Sequence, residues 1–389
     1  MLFLGVRNMA NILYVGFYSL PDKDAAANRV INNAKALREA GHKVWFLDEQ
    51  RDCVDNVLET KHELLGFQSW STLRPNGFLG LLRKMTSIKQ IISVIEEINN
   101  LDLIIVYNYP SIALMSLSNY CRKHDIKIAS DCSEWYSGKD YNFPMSILSS
   151  VDSCLRMRLV QKNLDGIIVI SSYLQNYYSK CKNVISIPPL VDISDSKWNQ
   201  NKYHFDENKL NLVYTGNLGR SKETFFPIIE AIDKSINQKR IVFRVVGATK
   251  EEFLQICPNA EDRLDRMKDS IIFYGRVSHT ESLRILRSSD YIIFLRDRNR
   301  VTMAGFSTKF VEALSCGTPV ITTNTGDIMQ YVNKLDCGYI IDDEHPLSLL
   351  LNKDTAELKS KKNSIKNTEL FDFRQYVAVF KKWINDIIG

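Results

Sequence analysis

The chain has 389 residues, 45% of them hydrophobic and 24% charged, with a formal net charge of +5. This composition is that of a folded globular protein and excludes a disordered chain, and the length favours two domains over a single core. The mild positive charge carries no nucleic-acid signature, so no nucleic acid is expected as a partner, but it suits anionic phosphates or an anionic membrane surface.

Eight cysteines, at 53, 121, 132, 154, 181, 257, 316 and 337, form no CxxC pair and no Cys/His cluster of zinc spacing. No metal is therefore expected, and reduced thiols point to a cytoplasmic chain. The opening MLFLGVRNMANILYVGF lacks a small-residue cleavage site and runs straight into a strand, so no signal peptide is expected. Leu103–Cys121 carries no charge over 19 residues. It is interrupted by Asn108, Pro110, Ser111 and Asn119, and Leu103–Tyr107 reads as a buried strand rather than part of a membrane span.

In chain order, Asn11–Gly16 reads as a strand. Asn28–Ala40 reads as a helix with Val30, Ala34 and Leu37 on one face and Gly41 at its C′ position. Lys43–Leu47 is the next strand. Leu73–Ile95 is amphipathic, with Phe78, Leu79, Leu81 and Leu82 beside Arg74, Arg83, Lys84 and Lys89. It is either an interfacial helix that meets anionic lipid or an ordinary domain helix. Strands follow at Leu103–Tyr107, Ile126–Ser130, Gly166–Ile170 and Val184–Ile187. Pro188-Pro189 then opens a polar stretch, Asp192–Asn208, read as a linker. A second series of strands runs Leu212–Thr215, Ile241–Val246, Ile271–Tyr274, Tyr291–Leu295, Pro319–Thr322 and Gly338–Ile341. Phe373–Ile388 closes the chain as an amphipathic helix, with Tyr376, Val379, Phe380, Trp383 and Ile387 at helical spacing.

Strands separated by helices imply parallel sheets covered on both faces. The expectation is an α/β protein of two doubly wound domains facing across a cleft, with ligands beyond the carboxyl ends of the strands. The boundaries are 1–190, a linker at 191–208, a second domain at 209–370, and a helix at 371–389 that returns to the first domain.

One segment carries chemistry. As a helix, Thr308–Ser315 sets Phe310, Val311 and Leu314 on a core face, and Lys309, Glu312 and Ala313 on the other. Gly305, Phe306, Ser307 and Thr308 lead into it, where free amides and the helix dipole favour an anion. Gly317 stops it. Lys309 and the amides can meet phosphate oxygens, and Glu312 can accept both ribose hydroxyls. The plain alternative is a solvated Lys–Glu pair, which is ordinary at this spacing.

The flanking residues bear on that choice. GFSTKFVEALSCGTPVI at 305–321 resembles the donor-site segment of GT-B-fold glycosyltransferases of the GT4 type, the retaining enzymes of bacterial surface-polysaccharide synthesis among them. The Tyr214-Thr-Gly-Asn-Leu-Gly-Arg-Ser-Lys222 segment is similar to the family's glycine-rich loop, with Gly216, Asn217, Arg220 and Lys222 in it. Ile271-Ile-Phe-Tyr-Gly-Arg-Val277 is similar to the strand and loop facing the base, with Gly275, Arg276 and Val277. ILYVGF and NRVINNAKALREAGHKV match the family's opening strand and helix, so the likeness spans nearly the whole chain. Two positions depart from it. Ala304 stands where the family often has the first Glu of an E-x7-E motif, and Asn217 stands where a phosphate-binding arginine often sits. Arg220 and the arginines of Arg296-Asp-Arg-Asn-Arg300 are the candidates to compensate, although each reads as an exposed side chain.

The resemblance implies a retaining transfer from a nucleotide sugar, UDP-linked by family frequency, to a glycan or lipid-linked glycan. The protein's task is then to stabilise the departing diphosphate. Lys222 and Lys309 are the candidate catalytic cations, and neither a cofactor nor a metal is expected. On the acceptor side, Arg29 opens the first domain's first helix and is expected to face the cleft, either to meet a phosphate or as an ordinary surface arginine. Asp131, Glu134, Trp135 and Tyr136 resemble a D-x-x-E-W-Y segment of some surface-polysaccharide transferases, and Glu134 joins the catalytic candidates. Packing is the other reading for Trp135. A GT-B nucleotide-sugar epimerase and a non-catalytic partner subunit are the alternative functions; Ala304 and Asn217 favour the second.

Overall fold

In a computed structural model of the chain, the described residues are 9–21, 23–135, 143, 145–218, 223–360 and 368–389. The chain forms two compact units, Met1–Val191 with Asp372–Gly389, and Asp192–Phe371.

The first unit is built on eight strands: β1 Asn11–Gly16, β2 Lys43–Gln50, β3 His62–Leu64, β4 Phe67–Leu73, β5 Leu103–Tyr107, β6 Lys127–Cys132, β7 Gly166–Val169 and β8 Val184–Ser186. They lie in the order β3-β4-β2-β1-β5-β6-β7-β8. Every pairing is parallel except β3 with β4. Helices α1 Ala25–Glu39, α2 Gly77–Thr86, α3 Lys89–Glu97, α4 Ser111–Lys123, α5 Met145–Leu155 and α6 Ser172–Tyr177 connect them. Alternation along β1 divides the core: Ile12 and Tyr14 join Val30, Ala34 and Leu37 of α1 on one face, while Leu13 and Val15 join Val94, Leu114 and Leu117 on the other. The Asp24 side chain caps α1 by accepting from the Ala27 N–H at 2.7 Å, and Gly41 follows at φ 97°.

The expected long segment Leu73–Ile95 divides into β4's last residue, α2 and α3, because Ser87 is extended at ψ 136°. The uncharged stretch at 103–121 divides into β5 and α4, and no helix among the described residues is long and apolar enough to cross a membrane.

The second unit has six parallel strands: β9 Leu210–Thr215, β10 Ile241–Val246, β11 Ile271–Gly275, β12 Tyr291–Phe294, β13 Val320–Thr323 and β14 Gly338–Ile341. Their order, β11-β10-β9-β12-β13-β14, is the Rossmann order, which reverses between β9 and β12. The helices are α7 Phe226–Asp233, α8 Lys250–Ile256, α9 Glu261–Arg266, α10 His279–Ser288, α11 Arg300–Ala304, α12 Thr308–Ser315, α13 Ile328–Leu335, α14 Leu347–Leu351 and α15 Thr355–Ser360. Residues 192–208, read from sequence as a linker, are packed into this unit. Trp198 is buried there and accepts from Arg287 at 2.7 Å, and the Tyr203 N–H donates to Ser288 Oγ at 2.7 Å.

After Phe371 the chain rejoins the first unit. Helix α16, Val377–Ile388, buries Phe380, Trp383, Ile384 and Ile387. Val379, expected on that face, is 40% exposed, and Ile384 takes its place, because at about 100° per residue Val379 falls at the edge of the face that Phe380, Trp383 and Ile387 make while Ile384 falls within it. Gly166 explains the close approach: a Cβ there would lie 2.5 Å from Ile387 Cδ1. The Trp383 indole N–H donates to the Asn183 carbonyl at 2.6 Å.

Candidate active site

The site is assembled at the carboxyl ends of the second unit's strands, around the β9/β12 switch point. β9 ends at Thr215 and turns through Gly216 at φ 120°, a conformation that glycine adopts without steric cost. The Gly216 N–H donates to the Val246 carbonyl at 3.0 Å. Gly247, at φ 111°, packs so tightly beneath it that a Cβ there would sit 2.4 Å from the Gly216 oxygen. The Gly247 N–H in turn donates to Gly275 at 2.8 Å, so three strand ends are laced by their own backbone.

Lys309, on the first turn of α12, reaches over this turn. A Cβ on Gly216 would meet Lys309 Cε at 3.0 Å, and the ammonium lies 5.2 Å from the Tyr214 ring centroid. Tyr214 is itself fixed, donating its hydroxyl to the Asn217 carbonyl at 2.9 Å. Lys309 does not stand alone. Its Nζ is 3.1 Å from Glu223 Oε1, and Arg296, directly beyond β12, places a guanidinium nitrogen 2.7 Å from the same oxygen. The side chains of Lys309, Arg296 and Glu223 are 15%, 10% and 4% exposed. Two cations thus share one buried carboxylate across the switch point, leaving a net positive charge in a dry setting. Burial alone would push the Glu223 carboxyl up, but Lys309 and Arg296 together hold it below its ordinary value. Burial draws the Lys309 ammonium down, and repulsion from Arg296 adds to this against the pull of Glu223.

α12 ends as its sequence requires. Gly317 sits at φ 68°, its N–H donates to Leu314 at 3.0 Å, and the Thr318 N–H donates to Ala313 at 2.8 Å, a Schellman closure. At its start, Ser307 is buried, and its hydroxyl makes no cap. The hydroxyls of Ser307 and Thr215 are both buried with no hydrogen-bond partner among the described residues. Phe306 is buried among Phe310, Tyr331 and Phe371, so only its backbone is available to a ligand. Gly305 and Thr308 flank it half-buried.

Farther along α12, Glu312 is 24% exposed and lies 3.3 Å from His279 Nε2 at the start of α10. The loop Gly275–Val277 leads straight into that histidine, which brings the expected base-facing loop beside the expected ribose carboxylate. Gly275 has φ 63°, Val277 is half-buried, and Arg276 projects outward, 79% exposed and 3.8 Å from Glu252. Asn217 is exposed. Arg220 and Lys222 lie outside the described residues.

Two members of this cluster escape a reading of the sequence, and a third, Arg296, is named there but placed wrongly. Glu223 hides beside Lys222 as an unremarkable acid. His279 hides in the N-terminal turn of a helix capped by Ser278. Arg296, read as exposed, is the buried partner of Glu223, because β12 delivers it at the switch point. Ala304 is fully buried, so the first carboxylate of the E-x7-E pattern has no counterpart there.

The first unit corrects two expectations. Arg29 does not face an open crevice: its side chain is 3% exposed and is bonded to Asp131, itself 0% exposed, at 2.7 Å. The remaining Arg29 donors reach the Ile187 carbonyl at 2.9 Å and the Pro188 carbonyl at 3.3 Å. Asp131 also accepts from the Tyr14 hydroxyl at 2.5 Å and from Asn33 at 3.2 Å. Both side chains are consumed in tying α1 to β6 and to the chain after β8, because a buried guanidinium must be matched donor by donor. Trp135 is half-buried and meets the Tyr177 ring edge-on at 5.0 Å. Glu134 is half-buried at the same strand end, and Tyr136 lies outside the described residues.

This arrangement, a Rossmann-ordered sheet with cations and a helix start at its switch point, is a doubly wound α/β unit suited to an anionic ligand. Residues 195–368 match the family model described as Glycosyl transferases group 1. The fold as a whole is similar to that of sucrose-phosphate synthase from Thermosynechococcus elongatus, at 15% identity, covering 97% of this chain and 96% of that one, with a TM-score of 0.64. It is similar to Anabaena HepE in complex with UDP, at 17% identity, covering 96% and 98%, with a TM-score of 0.62. It is also similar to a trehalose-6-phosphate structure from E. coli bound with UDP-2-fluoro glucose, at 13% identity, covering 98% and 99%, with a TM-score of 0.65. No curated protein matches the chain in sequence. The chain has the GT-B fold of these structures, and its second unit carries a group 1 glycosyltransferase domain.

Proposed function

We propose that this chain is a retaining GT4-type transferase that moves a sugar from a UDP-sugar to a hydroxyl of a glycan or lipid-linked glycan during bacterial surface-polysaccharide synthesis. It would work in the cytoplasm, peripheral to the inner face of the cytoplasmic membrane. The observation that carries the reading is the Lys309–Glu223–Arg296 cluster, set over Gly216 and at the start of α12. UDP in the Anabaena structure and UDP-2-fluoro glucose in the E. coli structure support the choice of nucleotide.

In the reaction the bond from the anomeric carbon to the diphosphate oxygen breaks, and its electron pair leaves with UDP. The acceptor oxygen bonds to the same face of the carbon, and its proton passes to a β-phosphate oxygen. Lys309, Lys222 and the α12 amides stabilise the charge that grows on the leaving group. Lysines and the helix dipole supply the positive charge, so neither metal nor cofactor takes part. Glu312, oriented by His279, accepts from the ribose hydroxyls. The buried hydroxyls of Ser307 and Thr215 offer donors to the oxygens of the bound donor, since a buried donor left without an acceptor is costly. Glu134 and Trp135 remain the acceptor-side candidates, for a hydrogen bond and a stacking face.

A thermal-shift screen of UDP, GDP, ADP, CMP and their sugars tests the donor class. Selective stabilisation by UDP is expected; stabilisation by another nucleotide alone, or by none, would overturn it. The buried Ala304 favours one second reading, a non-catalytic partner subunit. Slow release of free sugar from the donor without acceptor separates a transferase from such a subunit.

A further inference from the structure

The first unit has a switch point of its own, where its strand order reverses between β1 and β5. Phe17 follows β1 directly, Tyr109 lies just beyond the end of β5, and their rings are 4.9 Å apart. Tyr109 is buried and Phe17 half-buried. Glu49 comes from the carboxyl end of β2, the strand beside β1, and its side chain is 4% exposed. Arg74, directly after β4, places Nε 3.1 Å from Glu49 Oε2. Lys84 of α2 donates to Glu49 Oε1, and its ammonium lies 3.4 Å from the Phe17 ring centroid. Arg74 Nη2 donates to the Ser19 hydroxyl at 3.3 Å, which in turn donates to the Glu49 carbonyl at 2.7 Å. Four strand ends thus converge on one carboxylate, two cations and a pair of rings.

One cation is enough to neutralise Glu49. The second leaves a spare positive charge in a partly dry setting, which an anion would relieve. The cluster also has hydrogens to give. Among the described residues Arg74 Nη1 makes no hydrogen bond, and Lys84 gives one of its three ammonium hydrogens to Glu49. Arg74 is 38% exposed, so its guanidinium opens to solvent, whereas Arg29 and Asp131 at the neighbouring strand ends are consumed by each other. A guanidinium fork takes a carboxylate or a phosphate, and a half-buried ring takes the C–H face of a sugar. We propose that Arg74 and Lys84, with the Phe17–Tyr109 pair, form an acceptor subsite for a sugar that carries an anionic group, a uronate carboxylate or a phosphate monoester. This rests on the transferase reading above and adds the chemical class of its acceptor.

Ligand-observed NMR of the full chain tests this with glucuronic acid, glucose 6-phosphate and glucose, which differ only in the group at C6. The wild type binds at least one of the two acids about tenfold or more tightly than glucose, as one charge-assisted hydrogen bond requires. Preference for glucuronic acid assigns a uronate, and preference for glucose 6-phosphate assigns a phosphorylated sugar. Arg74→Gln removes the preference, while Lys84 still matches Glu49 and a urea melt shows the first unit folded. Arg74→Lys, which keeps the charge, restores it in part. Raising the salt weakens binding of the acid and leaves glucose unchanged, a reading that needs no variant. Failure of the wild type to bind either acid, equal binding of glucose, salt-independent binding, or an undiminished preference in Arg74→Gln overturns the subsite. Stabilisation by UDP is read on the same samples. Acid binding through Arg74 without it sinks the donor reading and leaves an anionic-sugar site standing; UDP stabilisation without acid binding does the reverse.

Discussion

Replacing Glu223 with Gln preserves shape and removes the one negative charge that Lys309 and Arg296 share. Opening a buried ion pair from one side costs about 3–5 kcal/mol, because the other charges stay buried and uncompensated. The three side chains are at most 15% exposed, so solvent screens little of this, while the amide oxygen still accepts and puts the cost near the lower bound. At about 3 kcal/mol, a domain of this size loses about 6–12 °C in melting temperature. Nucleotide binding should move the other way. On the proposed function the diphosphate competes with Glu223 for the same cations in the wild type, and in the variant they are unopposed. One restored charge-assisted hydrogen bond, about 1.5–3 kcal/mol, corresponds to about 10- to 100-fold tighter UDP. Paired thermal melts and titration calorimetry with UDP measure both arms. The stability difference also has a pH signature. Glu223 titrates lower in the folded chain than in the unfolded one, so its contribution is complete above the ordinary glutamate value and vanishes as pH falls through the folded value. Variant and wild type should therefore converge in acid. A variant that is destabilised yet binds UDP no better than wild type would refute the competition and leave the cluster a purely structural one.

Glu312→Ala should weaken UDP binding by about 1.5–3 kcal/mol, read by calorimetry; unchanged affinity would remove the ribose role. Lys222→Ala should lower turnover at saturating donor more than it lowers donor affinity, because leaving-group charge grows in the transition state; steady-state kinetics would show the split. Asp131→Asn should destabilise the first unit by about 3–5 kcal/mol in urea melts while leaving UDP affinity unchanged, as expected of a structural ion pair. Trp383→Ala should cost about 3–5 kcal/mol in the same melts, since it empties the seat beside Gly166.

Much of the fold is legible in the sequence because strand and helix differ in apolar period. Asn11–Gly16 and Leu103–Tyr107 are expected and observed with identical limits. The strand at 62–64 and the following β4 are not expected, because HEL is short and polar and FQSWSTL alternates with weak contrast. At the site, the α12 segment is legible because glycine, lysine and glutamate keep fixed places along one helix. What joins them is not. Glu223, Arg296 and His279 come from other strand ends, and only the strand order decides that β9 and β12 are neighbours. Arg29 shows the converse: its place at a helix start is visible, but its burial depends on Asp131, which lies 102 positions away.

The first unit is discontinuous in sequence, and its two crossings lie side by side. Val191 pairs in parallel with Asp372, and the Phe373 N–H donates to the Val191 carbonyl at 2.9 Å. During synthesis residues 192–371 must emerge before α16 can cover Tyr14, Val30 and Ile168 with Phe380 and Trp383. Until then the ribosome displays an unfinished first unit with an apolar trough across its sheet. The second unit, contiguous in sequence, is free to mature earlier. The C-terminal helix is thus the last clasp of the first fold, and a nonsense mutation that spares the entire second unit would still leave the unit before it unclosed.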